Sequence, residues 1–163
     1  MLSPTVFVSK AEVGGWPIFG WFAKRAGTRF LRRDLKADLV RVGEELKPVI
    51  KAGVNLAIFL EGTSTDGNGV RPFKPSLLEP AVKGGWKVAP VMIRYEVPEG
   101  YDAGITVGWW GTMPLTAHVV TLMGLPWVRA VIEFGDERDA GESRKILAAE
   151  LEADVTARLK QGN

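Results

Sequence analysis

The chain of 163 residues is long enough for one domain with a buried core. Its composition, with 46% apolar and 25% charged residues, excludes an intrinsically disordered chain. The absence of Cys excludes disulfides, thiolate nucleophiles and Cys-based zinc sites, and only one His is available as an imidazole. A net charge of +2 gives no indication of a nucleic-acid partner, and no apolar run reaches the roughly 20 residues that span a bilayer. We therefore expect a single domain over residues 1–163, in the cytoplasm or peripheral on a membrane.

The first part of the chain predicts two short strands around a broken helical stretch. Residues 5–9 alternate β-branched and aromatic side chains, as a strand does, and residues 28–32 predict a second strand. Between them, two glycines and Pro17 interrupt a helical pattern over residues 12–24.

An amphipathic helix follows the second strand. From Leu35 to Ile50, apolar side chains recur at steps of three and four residues, which places them on one face of a helix. Asp34 is placed as the N-cap and Gly53 as the C-terminal stop, while Pro48 weakens the last turns.

The rest of the chain alternates apolar strands with helices. We predict strands over residues 54–60, 87–95, 105–110 and 128–134, and helices over 76–82, 115–123 and 142–160. We expect the apolar side chains of the last helix to lie on one face: Ile146, Leu147, Leu151, Val155 and Leu159. This alternation predicts an α/β domain with a mixed, mostly parallel sheet flanked by helices.

Residues 59–67 (Phe-Leu-Glu-Gly-Thr-Ser-Thr-Asp-Gly) are the most informative stretch. They join a buried strand to a cluster of small and polar residues, and a strand end is where α/β proteins present polar groups to a ligand. A loop rich in Gly, Ser and Thr offers N–H groups and hydroxyls to an anion, and Glu61 can accept hydrogen bonds from a polyol. An ordinary turn between a strand and a helix is the alternative from composition alone.

A basic cluster lies next to a group of aromatic residues. Residues 24–33 hold five basic residues and no acidic one, and residues 16–22 supply two Trp and two Phe. Aromatic rings beside Lys and Arg are typical of a surface that binds an anionic membrane. The alternative is that the rings pack in the core and the charges are simply solvated.

Four motifs in order resemble those of the glycerophospholipid acyltransferases, the family of 1-acylglycerol-3-phosphate O-acyltransferase. Residues 8–12 are similar to its Lys-x-Glu segment, and 27–33 to its Gly-x-apolar-Phe-apolar-x-Arg motif. Residues 59–63 are similar to Phe-Pro-Glu-Gly-Thr, and 88–91 to a later apolar-Pro-Val motif. Each motif alone is weak, but together they extend the resemblance over essentially the whole chain.

The resemblance implies acyl transfer from acyl-CoA or acyl carrier protein to the free hydroxyl of a lysophospholipid, at the cytoplasmic face of the cell membrane. It implies no metal ion and no redox cofactor. The acceptor-binding residues that it assigns are Arg33, Glu61, Gly62 and Thr63. Ser64 would line the same loop, and Lys10 is either a further phosphate partner or a surface lysine. A guanidinium suits this role because it binds phosphate in bidentate fashion.

Two residues of the loop depart from the family pattern. Leu60 stands where the family usually has Pro, and Ser64 stands where many members have a second Arg. The second change removes a positive charge from the acceptor site. Either Arg71 or Lys74 restores the charge, or the acceptor has another headgroup, such as one linked to an amino acid.

The family's catalytic motif, His-x-x-x-x-Asp, does not occur in this sequence. The single imidazole, His118, has Met123 rather than Asp five positions on, and its apolar neighbours indicate a structural role. A general base contributes roughly 10²- to 10⁴-fold in rate, so we assign no catalytic residue and expect little turnover from this chain alone. Three explanations are open: an N-terminally truncated enzyme, a non-catalytic lysophospholipid-binding relative, or an α/β phosphate-binding hydrolase, against which the motif order argues.

Overall fold

The centre of the fold is a parallel sheet of three strands. The computed structural model describes residues 4–16, 19–32 and 36–162. The strands are β1 (Thr5–Lys10), β2 (Arg29–Leu31) and β3 (Asn55–Ile58), in the order β2-β1-β3. Both neighbours run parallel to β1, so all three strands end at the same edge of the sheet.

Helical segments connect these strands. A 3₁₀ turn (Ala11–Gly15) and helix α1 (Phe19–Arg25) link β1 to β2, and helix α2 (Lys36–Lys51) links β2 to β3. The predicted break near Pro17 agrees with this division, although Pro17 itself lies outside the described residues.

The periodicity of α2 correctly predicts the burial of two side chains in its described part. Val42 and Leu46 are buried against the sheet, and Gly53, with φ +74°, ends the helix as expected of a left-handed C-terminal glycine. Pro48 is accommodated near the C-terminal end of the helix. The predicted N-cap, Asp34, lies outside the described residues. The buried core on this side of the sheet consists of Val8, Leu31, Val42, Leu46 and Leu77.

The second half adds an antiparallel ribbon, so the complete arrangement is mixed α/β, as predicted. After a 3₁₀ turn (Pro75–Leu78) come helix α3 (Glu79–Gly84) and strands β4 (Lys87–Val88) and β5 (Val91–Glu96). β4 pairs with β7 (Arg138–Asp139), and β5 pairs with β6 (Arg129–Phe134). The sequence predicted one strand over residues 87–95. The observed strand is interrupted at Pro90, which cannot donate a backbone hydrogen bond.

Helix α6 (Arg144–Gln161) closes the chain and covers a second core. The Ser143 hydroxyl caps its first turn by accepting a hydrogen bond from the Ile146 N–H. Leu147, Ala148 and Leu151 are buried, whereas Ile146 is exposed, so its assignment to the apolar face is wrong. This second core contains Leu78, Ala81, Ala140, Leu147, Ala148 and Leu151.

The strand predicted over residues 105–110 is also wrong. The structure has helix α4 (Ala103–Thr106) there, followed by a loop and helix α5 (Leu115–Met123). The Asp102 carboxylate caps α4 by accepting from the Ile105 N–H, and the Trp110 indole donates to the Gly104 carbonyl at 2.9 Å. These local hydrogen bonds stabilise a helical turn where the alternation of apolar residues indicates a strand. Within the described ranges, no helix has both the length and the apolar character needed to cross a bilayer.

Candidate functional site

The C-terminal ends of the three parallel strands define the candidate site. Lys10 is the last residue of β1 and is in register with Leu31, the last residue of β2. The loop that begins at Phe59 leaves β3 at the same edge, because Val8 is in register with Ile58. This edge is where α/β sheets present binding groups. Of the predicted site residues here, Arg33 and the side chain of Lys10 lie outside the described part of the chain.

A sharp turn at Gly62 opens the loop after β3. Gly62 has φ +71° and is buried, and its N–H donates to the Phe59 carbonyl at 3.2 Å. Residues with a Cβ rarely adopt this left-handed conformation, so the turn explains the glycine in the Glu-Gly-Thr motif.

Two hydrogen bonds close the loop at its base. The Lys74 N–H donates to the Leu60 carbonyl at 2.9 Å, and the Arg71 N–H donates to Glu61 Oε2 at 2.9 Å. Glu61 is therefore fixed by one carboxylate oxygen. Its other oxygen, Oε1, has no hydrogen-bond partner among the described residues and is an available acceptor.

The side chain of Lys74 lies directly against the turn. A Cβ added at Gly62 would come within 2.9 Å of Lys74 Cδ, Cε and Nζ. No ion-pair partner for Lys74 is found within the described ranges. Arg71 contributes its backbone N–H instead, and its side chain is exposed. Of the two residues that the sequence offered for the missing charge, Lys74 is the one whose ammonium lies beside the motif.

The remaining loop residues divide into two pairs. Thr63 and Ser64 are exposed, and in the described structure their hydroxyls make no hydrogen bond to the protein. Thr65 and Asp66 are partly buried and hold the next turn, where the Gly67 N–H donates to Thr65 Oγ1. The first two hydroxyls are therefore available to a ligand.

No local sequence pattern indicates that α4 and the residues after it pack against this loop. A Cβ at Gly104 would lie 2.6 Å from the Asp66 carbonyl oxygen, and one at Gly108 would lie 3.1 Å from the Thr65 carbonyl oxygen. A weak signal was the pair of glycines four residues apart, since a residue without a Cβ permits close approach of two backbones.

His118 is not part of the loop. It lies on α5, which packs against α4, and is 9% exposed. Its ring makes no hydrogen bond to any of the described residues. This burial agrees with the structural role that the sequence indicated.

The comparisons with known proteins agree with the fold. A protein-family model described as Acyltransferase matches residues 1–94. Lyso-ornithine lipid O-acyltransferase from Rhodobacter capsulatus is 38% identical over 162 residues, which cover 95% of this chain and 58% of the relative. The 1-acyl-sn-glycerol-3-phosphate acyltransferase of Neisseria gonorrhoeae is 33% identical over 92 residues, which cover 56% of this chain and 36% of the relative.

A solved structure has the same fold. The crystal structure of the 1-acyl-sn-glycerophosphate acyltransferase PlsC from Thermotoga maritima gives a TM-score of 0.61 at 21% identity. The match covers 96% of this chain and 56% of that one.

The structural match shows that this chain is an α/β domain with the fold of a glycerophospholipid acyltransferase. Because the family model covers more than half of the sequence, the chain belongs to the acyltransferase family, and the resemblance of the four motifs is confirmed. Its relatives include acyltransferases of lyso-ornithine lipid and of 1-acyl-sn-glycerol-3-phosphate. The chain spans 58% of the length of the Rhodobacter relative.

Proposed function

We propose that this chain binds the acceptor in an O-acyl transfer onto a lyso-lipid with an amino-acid-linked headgroup, of the lyso-ornithine type. The observation that carries the proposal is the Lys74 ammonium against Gly62, in a loop that has Ser64 where many family members have Arg. Lys74 supplies a cation for the headgroup anion, which in an ornithine headgroup is a carboxylate. The headgroup class is proposed from two observations: the 38% identity to the Rhodobacter lyso-ornithine lipid O-acyltransferase over 162 residues, and Ser64 at the position where many family members have an Arg that suits a phosphate.

The loop supplies complementary groups for the rest of the acceptor. Glu61 Oε1 accepts a hydrogen bond from a hydroxyl, and the Thr63 and Ser64 hydroxyls donate to the headgroup. Lys10 and Arg33 remain proposed partners for the anion, because β1 ends at Lys10 and β2, which precedes Arg33 in the sequence, ends at the same edge.

The proposed donor is a fatty acyl thioester of CoA or of acyl carrier protein. The acceptor hydroxyl oxygen attacks the thioester carbonyl, and an ester C–O bond forms while the C–S bond breaks. The hydroxyl proton passes to a general base, which returns it to the departing thiolate, so that a free thiol leaves. We propose that the polypeptide of residues 1–163 performs this step poorly, because its one imidazole is buried in α5 and the sequence has no His-x-x-x-x-Asp motif. The lack of a His-x-x-x-x-Asp motif in these 163 residues favours a second candidate function, binding of a lysophospholipid without catalysis.

The test has two readouts on this chain. Binding of lyso-ornithine lipid and of lysophosphatidic acid, each below its micellar concentration, is measured by titration calorimetry. Release of CoA from acyl-CoA is followed with a thiol reagent, which gives no background because the protein has no Cys. We expect lyso-ornithine lipid to bind more tightly, with little CoA release. Binding of neither lipid would contradict the proposal, and rapid CoA release would contradict the expected inactivity.

We further propose that α1 attaches the protein peripherally to the cytoplasmic face of the membrane. Trp21 and Phe22 are 55% and 60% exposed, so core packing does not account for them, and the Arg25 guanidinium lies 4.8 Å from the centre of the Trp21 ring. Exposed rings beside basic side chains support binding to an anionic bilayer. Helix α1 follows β1, the central strand of the site.

Sedimentation with anionic vesicles tests this attachment. Replacing Trp21 and Phe22 together by Ser should weaken vesicle binding about tenfold or more, since partial burial of two rings is worth about 1.5–3 kcal/mol. The matched control replaces Val120 and Met123 by Ser, because these two are also highly exposed but lie on α5. Equal vesicle binding by both double variants would contradict the role of α1.

A further inference from the structure

The segment from Asp102 to Met113 contacts two parts of the chain that follow strands of the candidate site: the loop after β3 (residues 59–74, the acceptor loop) and Trp16. At one end it packs backbone to backbone on the acceptor loop, through Gly104 against Asp66 and Gly108 against Thr65. A side chain at Gly104 would collide with the Asp66 carbonyl oxygen, and Gly108 lies close to the Thr65 carbonyl oxygen, so the backbones of the two segments are in close contact.

The residue after Gly108, Trp109, contacts the part of the chain that follows β1. The Trp109 ring meets the Trp16 ring edge to face, with centroids 5.1 Å apart and an interplanar angle of 83°. Trp16 directly follows the 3₁₀ turn after β1. The segment therefore bridges the residues that leave β3 and those that leave β1, the two strands whose ends frame the site.

Hydrogen bonds fix the orientation of the indoles. Trp109 Nε1 donates to the Met113 carbonyl at 2.8 Å, and Trp110 Nε1 donates to the Gly104 carbonyl at 2.9 Å. Trp16 and Trp109 are both only partly buried. The two rings meet edge to face, and the face of a partly exposed indole attracts an ammonium group.

The segment from Asp102 to Met113 lies outside the part of the chain that matches the family model. The family model ends at residue 94, so residues 102–113 lie beyond the part that it describes. The similarity to the Rhodobacter enzyme covers 95% of the chain and includes them.

We propose that Trp109, backed by Trp16, forms a wall of the acceptor site and selects a headgroup that carries an ammonium. This inference rests on the proposed function, and it assigns the two charges of an ornithine headgroup to two subsites. The carboxylate binds beside Lys74, and the amine lies against the indoles. Lysophosphatidic acid has no amine, so it gains nothing from the aromatic wall.

The test compares two lipids on the same variants by titration calorimetry. Trp109→Leu keeps apolar bulk but removes the indole face, so affinity for lyso-ornithine lipid should fall about 5- to 30-fold. Affinity for lysophosphatidic acid should stay within about twofold. Trp127→Leu is the control, because Trp127 is exposed beside Arg129 at the start of β6 and should affect neither lipid.

Each outcome decides a separate question. If the wild-type chain binds neither lipid, the proposed function fails and this inference fails with it. If the wild type prefers lyso-ornithine lipid and Trp109→Leu leaves that preference unchanged, only this inference is overturned, and the indole pair is core packing. Should Trp109→Leu lose its native circular dichroism spectrum, Trp16→Leu replaces it, with the same expected loss of preference.

Discussion

A methyl group at position 62 perturbs the backbone and the proposed anion site at the same time. Gly62→Ala places a Cβ on a residue with φ +71° and brings it within 2.9 Å of three atoms of the Lys74 side chain. The Lys74 chain is flexible and exposed, so we expect it to move away rather than to unfold the loop. That movement takes the ammonium from the place where the acceptor anion is proposed to bind.

The expected loss of stability comes mainly from the backbone. Holding Ala in the left-handed region costs roughly 1–2 kcal/mol. Gly53→Ala is a matched control: Gly53 has φ +74°, nothing lies within 4 Å of an added Cβ, and it lies at the opposite end of β3. Both variants should therefore lose about the same free energy of unfolding.

Urea unfolding followed by Trp fluorescence measures the stability, and titration with lyso-ornithine lipid measures the binding. We expect similar losses of stability in the two variants and a loss of binding in Gly62→Ala only. Equal lipid affinity in both variants would refute the placement of Lys74 in the site. A much larger loss of stability in Gly62→Ala would show that the Lys74 side chain cannot move.

Two further predictions concern stability. Leu46→Ala should lower the free energy of unfolding in urea by about 2–5 kcal/mol, because Leu46 is 0% exposed between α2 and the sheet; the exposed Val120→Ala should change it by less than about 0.5 kcal/mol. Hydrogen bonds from Arg158 and Arg138, at 2.5 and 2.7 Å, hold the pKa of Asp154 below its usual value of 3.8. Because the folded-state pKa is lowered, the stabilisation is complete above pH 3.8 and is lost as the pH falls through the folded-state pKa. The difference in urea midpoint between wild type and Asp154→Asn should therefore be largest near pH 7 and shrink at acid pH, and a difference independent of pH would contradict this role.

The sequence predicted α2 and the position of the loop after β3 well, because both have local signals. The steps of three and four residues in α2 determine which face is buried, and Gly53 marks its end. The change from an apolar strand to Glu61 and Gly62 marks the point where a chain leaves a sheet. The four motifs were sufficient to identify the family.

The contacts that complete the candidate site depend on long-range packing. Lys74 reaches Gly62 because its own N–H pairs with the Leu60 carbonyl, a hydrogen bond that no local pattern predicts. Residues 105–110 alternate in a way that favours a strand, yet the cap at Asp102 and the contact of Gly104 with Asp66 select a helix. Side-chain periodicity cannot report such contacts between distant segments.

Titration of two lysine variants with lyso-ornithine lipid tests the central claim most directly. Lys74→Met removes the ammonium beside Gly62, whereas Lys83→Met removes an ammonium that pairs with Glu79 on α3. A hydrogen bond to a charged group is worth about 1.5–3 kcal/mol, so Lys74→Met should weaken binding about 10- to 100-fold, and Lys83→Met should leave it unchanged. Wild-type affinity in Lys74→Met would contradict the assignment of this loop as the acceptor site.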